Sequence, residues 1–119
     1  MNRDPRSALL LVDVINGFFD ESGSFYYPEV TEVVGPMRRL LGAARERDGL
    51  VVHAVERHHP GLQDFEHHRL PPHCVAGEFD AEYFADFKPS GAENEVEVHK
   101  RRYSAFYATE LDLLLREQG

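Results

Sequence analysis

Residues 8–14, ALLLVDV, are apolar at every position but Asp13. A strand that is apolar on both faces cannot leave either face in water, so it belongs inside a parallel sheet covered by helices. A second run of the same kind, LVVHAV, occupies 50–55. Between them Val30, Val33, Val34, Met37, Leu40, Leu41 and Ala44 recur at helical spacing, with Arg38, Arg39, Arg45, Glu46 and Arg47 on the other side. Strand, helix and strand within this length make a βαβ unit. Pro36 lacks a backbone donor, which puts the helix start near Gly35 or a kink there. Asp48-Gly49 ends the helix, with Gly49 expected as its left-handed cap.

The rest of the chain is less regular. Residues 15–29 hold Gly17, Ser22, Gly23, Ser24 and Pro28 and read as a loop with aromatic anchors. Residues 56–77 are polar and rich in histidine and proline, and so long a loop inside a domain is usually functional or mobile. A short helical turn is expected over 80–87, and EVEVH at 95–99 alternates like a strand. Thr109, with Asp112 three residues on, predicts the start of a last helix whose apolar stripe is Leu111, Leu114 and Leu115. The order β-α-β-loop-β-α is that of an α/β domain, and 119 residues suit one such domain.

Charge and composition exclude several classes of function. The net charge is −8 and the one basic cluster, Lys100-Arg101-Arg102, is short, so a nucleic-acid partner is not expected. No apolar run approaches the roughly 18 residues of a membrane span, and the apolar start has no small-residue cleavage site. The single cysteine, Cys74, forms no internal disulfide, which fits a reducing cytoplasm.

In open α/β sheets, ligands bind beyond the carboxyl ends of the strands. Asp13, Glu56 and Lys100 lie near three such ends and converge on one edge if the strands are parallel. An acid beside a lysine serves either as a base with an electrostatic partner or as a structural ion pair. Glu56, His58 and His73 have the donor types of a divalent-metal site with open positions, although histidines in an acidic chain can equally be surface residues. The remaining histidines read as surface or loop residues, and Cys74 as a buried structural thiol. No G-x-S-x-G, P-loop, G-x-G-x-x-G or C-x-x-C pattern occurs.

The segments LLLVDVINGFFD, AVERHHP, LPPHCVAG and VHKRRYSAFYATELDLLL resemble, in order, the motifs of the isochorismatase-like cysteine hydrolases, which include nicotinamidases. The resemblance implies a Rossmann-like parallel sheet, here truncated to about three strands flanked by helices, within a single domain over 1–119. It implies hydrolysis of a small amide or related small acid through a Cys-Asp-Lys triad, with Asp13 and Lys100 as two of its members. The family cysteine lies in a C-terminal part beyond these motifs, so another chain is expected to supply it, and the edge of strand 8–14 is expected to be covered by that second chain, by a symmetry copy or by a rearranged local element. Glu56, His58 and His73 match the metal positions of the nicotinamidase branch, which implies a divalent metal such as zinc. Leu70 stands where the family often has tryptophan, and Glu78 where it usually has threonine. The alternatives are a non-catalytic domain that binds metal or a small molecule, and a cysteine-independent hydrolase of an isochorismate-type vinyl ether.

Overall fold

The computed structural model describes residues 7–119. Three strands, β1 (Ala8–Val12), β2 (Leu50–Glu56) and β3 (Glu95–Lys100), form a parallel sheet in the order β1-β2-β3. Both apolar runs read from the sequence are therefore strands, and EVEVH extends by one residue to include Lys100. Every residue of β2 is buried, as a central strand with a helix on each side requires.

Alternation along the strands divides the core into two layers. Leu11 and Val51 pack with Leu41 and Ala44 of α2 (Thr31–Glu46) and with Phe87. Leu50, Val52, Ala54 and Val98 pack with Ala105 and with Leu111 of α3 (Leu111–Glu117). Leu114 and Leu115 complete that layer, as the stripe read from the sequence predicts. Glu95 and His53 are polar groups sealed beside the first layer. Glu95 accepts from Arg45 of α2 at 2.6 Å and contacts His53 of β2 at 3.0 Å, so a buried carboxylate joins helix to sheet. His53 is thus a core residue rather than a surface one.

Several local expectations are corrected. Helix α2 starts at Thr31 and carries Pro36 inside it, because a 3₁₀ turn at Pro28–Val30 runs straight into it and has already nucleated the helix. At its C-terminus the left-handed residue is Asp48 (φ 53°), not Gly49. The Gly49 amide instead bonds Ala44 O at 2.9 Å and the Asp48 amide bonds Arg45 O at 3.2 Å, a Schellman closure one residue earlier than expected. Residues 15–29 include a short helix, α1 (Asn16–Phe19). The turn expected over 80–87 is confined to a 3₁₀ turn at Phe79–Ala81. Thr109 accepts from the Leu111 amide, but Asp112 pairs with Arg116 instead of closing a capping box.

No other strand among the described residues pairs with the outer edge of β1, where Val12 is 46% exposed. Among the same residues, no helix is long and apolar enough to cross a membrane.

Candidate active site

Parallel pairing brings the carboxyl ends of all three strands together. Glu56 and Lys100 are partners in register, and Asp13 follows β1 on the same side. The Asp13 backbone is left-handed (φ 57°), a conformation that costs a non-glycine residue free energy and persists only where its surroundings impose it. Its amide bonds Ala54 O at 2.8 Å. Its carboxylate accepts from the Glu56 amide at 2.8 Å and from Lys100 Nζ at 3.0 Å. The lysine is 1% exposed, and its ammonium also donates to Arg102 O at 3.0 Å and Tyr103 O at 3.2 Å. All three donors of a buried cation are thereby satisfied, which holds it in one position.

A cluster of histidines and carboxylates adjoins this pair. Glu56 closes β2, and His58 follows after one residue. The segment around Cys74 pairs back onto His58 through His58 N to Cys74 O and Ala76 N to His58 O, each 2.9 Å. Cys74 is itself left-handed (φ 48°), and the adjacent His73 reaches the cluster with Nε2 2.6 Å from Glu56 Oε2. Its ring packs edge-on against Phe25, at 5.2 Å between centroids. The chain before Phe25 turns at Gly23, where an added Cβ would lie 2.2 Å from Asn16 O. Only glycine fits there.

The tautomers follow from the partners. His73 Nδ1 lies 2.8 Å from Pro71 O, a pure acceptor, so Nδ1 carries the proton. His58 Nδ1 lies 2.6 Å from Asp64 Oδ2. Burial opposes ionisation of Asp64, but the His58 ring, the Glu66 amide and Arg102 outweigh it and hold the carboxyl well below its usual range. Asp64 is therefore an acceptor, and His58 donates to it. Both rings turn Nε2 toward carboxylates, with His58 Nε2 2.9 Å from Glu56 Oε2. Both also lie 3.5 Å from Glu66 Oε2.

Such an arrangement is repulsive unless positive charge lies among these atoms. Glu66 Oε2 and His67 Nε2 are buried there without hydrogen-bond partners among the described residues. One ligand atom each from Glu56, His58, Glu66 and His73 lies within 4.8 Å of the others. Buried, orphaned and convergent N and O donors fit a divalent cation.

The structure thus brings Asp13 to Lys100 and gathers Glu56, His58 and His73, and Glu56 links the two groups. Sequence reading missed Glu66, His67 and Asp64. The latent signal was Asp64 followed by Glu66, since an aspartate two residues before an acceptor-seeking amide caps a short turn. Cys74 is 1% exposed and packs with Ile15 and Val55. Burial, reinforced by Glu56, Asp80 and Asp13, pushes its thiol up to about 12.

The isochorismatase domain model matches residues 7–119. Maleamate amidohydrolase from Pseudomonas putida is 31% identical over 119 residues, covering 96% of this chain and 55% of the relative. The structure of the nicotinamidase/pyrazinamidase PncA from Bacillus subtilis superposes with a TM-score of 0.85 at 30% identity, covering 99% of this chain and 66% of that one. The pyrazinamidase of Pyrococcus horikoshii in complex with zinc gives a TM-score of 0.76 at 26% identity, with coverage of 94% and 64%. The chain spans between 34% and 66% of the length of the curated relatives it matches.

Proposed function

This chain belongs to the isochorismatase domain family, and we propose that it forms the acid–base and cation-binding portion of a hydrolase acting on a small amide or related small-molecule acid. The observation that carries the reading is the pair of half-buried Asp13 and buried Lys100 at the carboxyl edge of the sheet, touching Glu56 of the histidine cluster. Asp13 is the base that takes the proton of an attacking cysteine thiol, and Lys100 stabilises the charge that develops as the sulfur adds to the amide carbon. The proton returns to the departing nitrogen, and water then releases the acid from the thioester.

Cys74 does not supply that thiol in this reading. Its sulfur is sealed in the core and held protonated by burial and by the carboxylates around it. The attacking cysteine comes instead from polypeptide other than residues 1–119; a second, different chain along the open edge of β1 fits both needs, whereas a symmetry copy, whose one cysteine is again Cys74, covers the edge alone. Glu56, His58, Glu66 and His73 are the residues that hold a divalent metal such as zinc. When bound, such an ion supplies Lewis-acid orientation of a polar substrate atom.

The test is ammonia release from nicotinamide, pyrazinamide and maleamate by the protein purified from its own cells. Asp13→Asn and Lys100→Met are expected to lower turnover by roughly 100-fold or more, the range for loss of a positioned proton-transfer group. Unchanged turnover in either variant rejects the assignment. Turnover by the 119-residue chain alone rejects the need for other polypeptide.

A further inference from the structure

We infer that Asp64 is a positioning residue that sets the orientation of the His58 ring and ties it to the segment holding Lys100. The inference rests on the reading of Glu56, His58, Glu66 and His73 as cation ligands. Asp64 is 6% exposed, and its two oxygens serve three elements. Oδ2 accepts from His58 Nδ1 at 2.6 Å. Oδ1 accepts from the Glu66 amide at 3.0 Å, which opens the 3₁₀ turn Phe65–His68 that carries Glu66 and His67. Oδ1 also accepts from Arg102 at 3.0 Å, with Arg101 3.7 Å from Oδ2.

An imidazole ring can flip about its Cβ–Cγ bond, and the flip exchanges each nitrogen with a carbon. In the flipped ring a C–H would face Glu56 and Glu66. Only the unflipped ring donates Nδ1–H to Asp64, so this carboxylate selects the orientation that presents Nε2 to the cluster. The same carboxylate holds the Arg102 side chain, and the Arg102 backbone carbonyl accepts from Lys100 Nζ. A continuous chain of charge-assisted bonds therefore runs from His58 through Asp64 and Arg102 to Lys100 and on to Asp13. Loss of Asp64 removes the partner of His58 and frees the lysine's support in one step.

The experiment uses the whole chain and zinc alone as the probe. Ring-nitrogen NMR without zinc is expected to show His58 as the Nδ1–H tautomer in the wild type and as a mixture in Asp64→Ala. Calorimetric zinc titration is expected to show affinity falling about 10–100-fold in that variant, the range for loss of a carboxylate behind a ligating histidine. Amide exchange at 101–104 is expected to quicken. Arg102→Ala separates the two roles, quickening that exchange while leaving the His58 tautomer in place. If Asp64→Ala fails to fold, Asp64→Asn keeps the shape and is expected to lose about tenfold in zinc affinity. A folded Asp64 variant with unchanged His58 tautomer and unchanged zinc affinity overturns the inference. A wild type that takes up no zinc overturns the ligand reading instead, and the tautomer measurement still decides whether Asp64 orients His58.

Discussion

Cys74 shows how environment decides what a residue can do. Its position in a Pro-Pro-His-Cys turn beside two histidines looks chemical, yet the sulfur packs with Ile15 and Val55 and its pKa is pushed up to about 12. The expected outcome is that native protein at about pH 8 resists a thiol reagent such as iodoacetamide, and that alkylation appears in full only in denaturant. Rapid modification of folded protein, read by intact mass, would remove Cys74 from the core and reopen it as a nucleophile. Lys100 is the opposite case. It is as buried as Cys74, but it is surrounded by one carboxylate and two carbonyls that satisfy its charge. Burial alone therefore separates neither residue from function; the partners do.

One connection between elements positions the site, and a second ties the sheet to α2 at the other end of β3. The turn at Gly23 sets Phe25 against the His73 ring. Gly23→Ala forces a Cβ into the Asn16 carbonyl and is expected to cost about 1–3 kcal/mol, as overpacking does. The loss would be read as a lowered urea midpoint at unchanged slope, and an unchanged midpoint would show that the turn adapts. The second connection is Glu95, which joins β3 to α2. Burial raises its pKa, but Arg45, His53 and the Ser90 amide more than reverse this and hold the carboxyl at about 2, below its ordinary 4.5. A depressed carboxyl adds stability above its unfolded pKa and loses that contribution as pH falls through the folded value. The stability gap between wild type and Glu95→Gln is thus expected to be widest above about pH 5 and to close toward pH 2. A gap that stays constant over that window would mean the carboxylate is not the source of the difference.

At the scale of the whole molecule, the open side of β1 is the feature that most needs a partner. A parallel strand whose outer edge pairs with no other strand among the described residues, beside exposed Val12, invites further pairing. The expected result of size-exclusion chromatography with light scattering is an assembly heavier than one chain, or a second polypeptide seen in the intact mass. A soluble monomer at all concentrations would count against the proposed cover. The same experiment bears on catalysis, because only a second, different polypeptide on β1 can bring the proposed cysteine to Asp13, while an assembly of identical chains covers the edge alone.

The parallel α/β sheet was legible because a strand buried on both faces leaves a continuous apolar run, and ALLLVDV and LVVHAV are such runs. Asp13, Glu56 and Lys100 were legible as a set because parallel strands place their carboxyl ends together. His58 and His73 were legible through the family motifs their segments resemble. Glu66, His67 and the orienting role of Asp64 were not, since they lie in an irregular loop where no periodicity reports which way a side chain points. The left-handed residue at the end of α2 fell at Asp48 rather than Gly49 for a related reason. Residue preference names the type of closure, while the hydrogen bonds back to Ala44 and Arg45 decide where the chain turns. Composition and pattern thus determined the layers and the site's edge, through burial. Only the tertiary structure decided which donors meet there, because that depends on loop closure across tens of residues.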